Sequence, residues 1–110
     1  MALKGHRTPE LLSVTATTTA TSIYNLLVTA NTRADIHRRC CFLQIQLDNA
    51  AAGNLYIGNS DMTTTNYGAN LVATQGNQQF AFDSNLISLM DIYLLASAAT
   101  QQVKLFFITR

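Results

Sequence analysis

A chain of 110 residues is enough for one domain with its own core, and only 12% of its residues are charged, against roughly 25% in an ordinary soluble domain. Its net charge of +1 lacks the excess of Lys and Arg that neutralises phosphates, which excludes nucleic acid as the expected partner. No stretch approaches the ~18 apolar residues of a membrane helix, and the first ten residues carry charges without the apolar run of a secretory signal, so synthesis in the cytoplasm and no membrane partner are expected.

With 48% apolar residues and a surface left mainly to Thr, Asn, Ala and Gln, little charge keeps copies apart, and other chains are expected to cover much of that surface. Residues 1–10 carry Lys4, Arg7 and Glu10 and hold the only proline, Pro9, an extended lead-in. Val14 to Thr21 is Thr and Ala after a single Val, a composition that favours extended backbone but fills little core volume. Residues 1–22 therefore read as an N-terminal arm that adds a strand to a neighbour, with residues 23–110 as the domain proper. In that arm Lys4 and Arg7 are candidates to steer towards an acidic surface, and Thr17 and Thr19 to contact the partner.

Ser22 to Thr29, Ser-Ile-Tyr-Asn-Leu-Leu-Val-Thr, is expected to be a new strand. The basic cluster Arg33, His37, Arg38 and Arg39 reads as a solvated lead into the next strand, partly balanced by Asp35. From Cys41 the pattern is clear. Cys41, Leu43, Ile45 and Leu47 alternate with Phe42, Gln44, Gln46 and Asp48, the period of two that sets an apolar row inside and a mainly polar row outside. A loop at 49–53 and a short strand at Asn54 to Gly58 complete an expected hairpin. Residues 59–70 are dense in turn formers and sustain no period, so they read as a long surface loop carrying Tyr67, and loops of that length are often functional.

Gln78 to Phe82 is expected as a strand with Phe80 and Phe82 on one face. Asp91 to Ser97 and Val103 to Ile108 close the chain, joined by residues 98–102. The last strand sets Val103, Leu105 and Phe107 in one row and leaves Phe106 and Ile108 on the other. A strand apolar on both faces must be covered on both, which makes Phe106 and Ile108 candidates for a contact between chains. Seven to eight short strands with regular turn signals and no convincing helix indicate an all-β fold, a β-sandwich or jelly-roll-like barrel.

The chemistry-bearing inventory is thin. Cys40 and Cys41 are adjacent and would point to opposite faces of a strand, so a bridge between them is strained and two reduced thiols are expected. With His6 and His37 they lack the paired two-to-four-residue spacing of a zinc site. The only Glu is Glu10 and the five Asp stand beside turns or strand ends, where backbone hydrogen bonding explains them. No nucleophile-and-base pattern and no glycine-rich phosphate loop appears. The expectation is a structural or binding module with no catalytic activity, cofactor or metal.

The run Leu55-Tyr-Ile-Gly-Asn-Ser-Asp-Met-Thr-Thr-Thr-Asn-Tyr-Gly-Ala-Asn-Leu, the strand with Phe80 and Phe82, then Asp91-Ile-Tyr-Leu-Leu-Ala-Ser and Val103-Lys-Leu-Phe-Phe resemble a rhythm of small virion proteins of tailed bacteriophages. The resemblance covers residues 40–108 and implies a β-sandwich on the capsid surface, a head decoration or cement protein, often a homotrimer. Its partner would be the major capsid protein or another virion protein. Tail, fibre and other virion adaptor roles are the alternatives. A receptor- or carbohydrate-binding module is another, although such sites often use Trp, and this chain has none; of Tyr24, Tyr56, Tyr67 and Tyr93, only Tyr67 falls in a loop.

Overall fold

The computed structural model describes residues 8–30, 39–48, 53–72, 77–81, 87–97 and 100–109. Their strands are β1 (Thr8–Ala16), β2 (Thr21–Ser22), β3 (Arg39–Cys40), β4 (Phe42–Leu47), β5 (Asn54–Gly58), β6 (Ala69–Val72), β7 (Asn77–Ala81), β8 (Ile87–Ser88), β9 (Tyr93–Ala96) and β10 (Gln101–Thr109), with one helix, α1 (Ile23–Thr29). Two four-stranded antiparallel sheets, ordered β1-β10-β4-β7 and β2-β9-β5-β6, are joined by a two-stranded ribbon of β3 and β8. Setting the ribbon aside, the first strand pairs with the last, the second with the second-last, and so inward to β5 with β6. That nesting is the strand order of a jelly roll.

Alternation decides which residues fill the space between the sheets. Leu43, Ile45 and Leu47 of β4 meet Phe107, Leu105 and Val103 of β10 across the register, and all six are buried. The second sheet answers with Leu55, Ile57, Leu71, Leu94 and Ala96, and the two rows form one core with Val14, Ala16 and Leu89. Burial of this order stabilises by about 1.5–3 kcal/mol per large apolar side chain before the chain's lost entropy is set against it.

Three sequence expectations are corrected by this arrangement. Residues 23–29 form a helix where a strand was expected. Ser22 caps it, its Oγ accepting a hydrogen bond from the Asn25 N–H at 3.1 Å, and Ile23, Leu26 and Leu27 turn one face into the core. Their spacing of three and four residues is a helical stripe, which outweighs the β-branched Ile23 and Val28 in a short segment.

Next, residues 8–16 are no free arm. β1 pairs with β10 along nine residues, Thr8 opposite Thr109 to Ala16 opposite Gln101. Val14 and Ala16 are sealed in the core and Leu12 packs against it, so the segment gains apolar burial within its own domain. Val14 and Ala16 supply its fully buried side chains, and Leu12, just before the Thr-rich run, adds apolar volume against the core.

Lastly, β4 and β5 are not a hairpin. β4 lies between β10 and β7, while β5 lies between β9 and β6 in the other sheet. β9 and β10 likewise sit in different sheets. Strands adjacent in the chain cross between layers because each pairs with its counterpart in the nested order. Of the expected Gln78–Phe82 strand, β7 covers Asn77–Ala81 and Phe82 lies outside the described residues.

Candidate functional site

Two surfaces carry side chains that the core does not use. The first is the outer face of the β1-β10-β4-β7 sheet. Register places Leu11, Phe106, Gln44 and Gln79 in one row across it, and Ser13, Lys104 and Gln46 in the next. Phe42 stands opposite Ile108 and diagonal to Phe106, and the two rings meet edge to face with centroids 5.9 Å apart, the favoured contact of opposed ring quadrupoles. Leu11, directly opposite Phe106, is 77% exposed.

The face is divided. Towards Gln102 it is polar, Gln102 Nε2 donating to Thr15 Oγ1 at 2.9 Å, and in the row of Leu11 and Phe106 it turns polar towards β7, Gln79 Nε2 donating to Gln44 Oε1 at 2.8 Å. Towards Ile108 it is apolar, with Leu11, Phe106, Phe42 and Ile108 exposed or half-buried. An apolar patch rimmed by amides matches the centre and rim of a protein–protein contact.

The second surface is the connection from β5 to β6. Ile57 pairs with Ala69 and the Gly68 N–H donates to the Ile57 carbonyl at 2.7 Å, so the two ends of the connection are pinned. Inside it, Asn59 Oδ1 accepts from the Asp61 N–H at 2.9 Å, Met62 N–H donates to the Asn59 carbonyl at 3.1 Å, and Thr63 and Asn66 bridge. Met62 is buried outside the main core and lies on Gly58, where a Cβ would fall 3.0 Å from the Met62 Cβ. Tyr67 rests on Tyr56 of β5 with centroids 4.7 Å apart. A cavity of about 440 Å³ opens here, lined by Gly58, Asn59, Asp61, Met62, Asn66, Tyr67 and Gly68.

Of the candidate contact residues, Phe106 and Ile108 fall together on the first surface and Tyr67 on the second. Thr17 and Thr19 lie in the crossover from β1 to β2: the Thr17 Oγ1 accepts from the Thr19 N–H at 3.2 Å, and the Thr17 carbonyl accepts from Ala96 at 2.8 Å. That crossover reaches β9 of the other sheet, away from Phe106. Lys4 and Arg7, like His6 and His37, lie outside the described residues. Leu11 and Phe42 are the additions. Phe42 was legible as the lone apolar member of the polar row of β4, whereas the position of Leu11 depends on the pairing of β1.

Both thiols are free and buried. Cys40 joins the core, and burial, reinforced by the neighbouring Cys41, pushes its thiol from 9.0 up to about 12. Cys41 lies outside that cluster, its Sγ donating to the Ile108 carbonyl at 3.4 Å. Among the described residues no three His, Cys, Asp or Glu side chains gather as metal ligands, and no helix is long and apolar enough to cross a membrane. No protein-family model matches the chain, and a search of curated proteins finds no match.

Proposed function

We propose that this chain is a structural virion protein of a tailed bacteriophage, a decoration or cement protein that adds to the outside of the head and strengthens it through contact area alone. The observation that carries this reading is the apolar half of the outer sheet face, where Leu11, 77% exposed, stands beside Phe106, Phe42 and Ile108. Such a patch on a weakly charged chain is buried by association with copies of itself in a closed ring, a trimer as the sequence resemblance implies, or with the shell. Jelly rolls recur in capsid domains, which supports the reading by analogy of fold.

Cementing requires no reaction. Each protomer contributes a modest interface, and a closed oligomer bound at several points holds on far more firmly than one protomer alone. The test is sedimentation of the purified chain followed by its addition to head particles assembled without it. A trimer that co-sediments with the particles and raises their resistance to heat supports the proposal. A monomer that leaves the particles unchanged overturns it.

A further inference from the structure

The geometry points to a saccharide-binding site in the cavity between β5 and the β5–β6 connection, taking one neutral sugar ring against Tyr67 with its hydroxyls on Asp61, Asn59 and Asn66. This site is separate from the outer face of the first sheet: it is built on β5 and β6 of the second. Its volume, about 440 Å³, lies within the range of roughly 300–1,000 Å³ of small-ligand pockets.

The lining selects the class of ligand. Tyr67 is 43% exposed and its ring is braced by Tyr56 at 4.7 Å, so an aromatic surface is already in place for the C–H face of a sugar, at little cost in lost side-chain freedom. The Asp61 carboxylate accepts hydrogen bonds only, whereas a carboxamide both donates and accepts. Among the described residues no hydrogen bond occupies the Asp61 carboxylate or the Asn66 carboxamide, and Asn59 uses only its Oδ1, on the Asp61 N–H, leaving its NH₂ to donate. Acceptors and donors side by side next to an aromatic face match neighbouring hydroxyls, each of which donates and accepts.

Other classes fit less well. An anion would meet the Asp61 charge with no described cation beside it. A divalent metal would find a single carboxylate, since no three ligand side chains gather among the described residues. The connection also holds its shape before any ligand arrives: the Gly68 hydrogen bond to Ile57, the Thr63–Asn66 bridge and the seat of Met62 on Gly58 fix the backbone that carries all four polar and aromatic side chains.

The test is titration of the isotope-labelled full chain with glucose, galactose, mannose and N-acetylglucosamine in turn, followed by amide chemical shifts, with N-acetylneuraminic acid as the anionic control. For at least one neutral sugar, saturable shifts centred on Asn59 to Gly68 are expected. Asp61→Asn, which preserves shape, should weaken that binding about tenfold or more. Tyr67→Ala should do the same, while Tyr67→Phe, which keeps the ring, should retain it within a few fold. No saturable shift in that segment with any of the neutral sugars overturns the proposal, as does unchanged affinity in Asp61→Asn and Tyr67→Ala, or tighter binding of the anionic sugar. Asp61→Asn should leave sedimentation and particle binding as they are, so failure of the sugar site and failure of the virion reading are told apart.

Discussion

Phe42 and Phe106 meet edge to face on the outside of the β1-β10-β4-β7 sheet, their planes inclined by 66°. Neither ring belongs to the core, which lies on the other side of the sheet and is built from Leu43, Ile45, Leu105 and Phe107. Phe106→Asp therefore removes one edge contact and an apolar surface but leaves the core intact. It should keep the β-sheet circular dichroism, lower stability by about 1–2 kcal/mol, and shift the sedimenting species to the monomer. Leu11→Asp, more exposed still, should dissociate the proposed oligomer with little change in stability. An oligomer that survives both substitutions places the subunit contact elsewhere.

A second expectation concerns pH. The Cys40 thiol is held neutral in the folded chain, its pKa raised from 9.0 to about 12 by burial and by Cys41. Between those values the unfolded chain gives up this proton and the folded chain keeps it, so the folded state binds more protons and stability falls as pH rises. The stabilisation is whole below pH 9 and is lost on the way to pH 12. Denaturant midpoints of wild type and Cys40→Ala across that window should converge as pH rises. At pH 8 the native Cys40 should resist alkylation, because the thiolate is the reactive form.

The seat of Met62 on Gly58 gives a third. A Cβ at position 58 would lie 3.0 Å from the Met62 Cβ, and both atoms sit on short, stiff attachments to the backbone. Gly58→Ala should displace the β5–β6 connection and cost about 1–3 kcal/mol by overpacking. In the Met62→Gly background, which takes away that Cβ, much of that penalty should disappear, a coupling that a double-mutant thermal-melt cycle measures directly.

Deletion of residues 1–16 is the fourth. Because β1 pairs with β10 over its full length and buries Val14 and Ala16, its removal bares one edge of β10 and part of the core. The truncated chain should lose its dispersed amide spectrum and aggregate. A folded, monomeric product would show that β1 is dispensable to the domain and would restore the idea of an arm.

The β class and the inward rows were legible along the chain. Period-two alternation in Phe42–Leu47 and Val103–Ile108 identifies which side chains face inward, because successive residues of a strand point to opposite faces whatever the partner is; it fails at Cys41, which precedes β4 and lies outside the core that Cys40 joins. Phe106 and Ile108 were visible for the same reason, as apolar residues on the second face of β10. The helix was also written in the chain, in Ser22 as cap and in the Ile23, Leu26 and Leu27 spacing, but with Tyr24 and Val28 also apolar, seven positions are too short a window to separate the two periods.

Tertiary structure alone decided the rest. Alternation within β4 and β5 carries no information about which strand lies beside each, and the choice between a local hairpin and pairing with β10 or β9 depends on how all rows together close one core. The same closure made Thr8–Ala16 an integral strand, because Leu12, Val14 and Ala16 gain burial only once β10 is alongside. It also folded the β5–β6 connection so that Tyr67 met Tyr56 and Asp61 came beside Asn59 and Asn66, bringing to one cavity residues that sequence could place only in a loop. Local composition sets each strand's faces; cooperative burial across distant segments sets their neighbours, and with them both candidate surfaces.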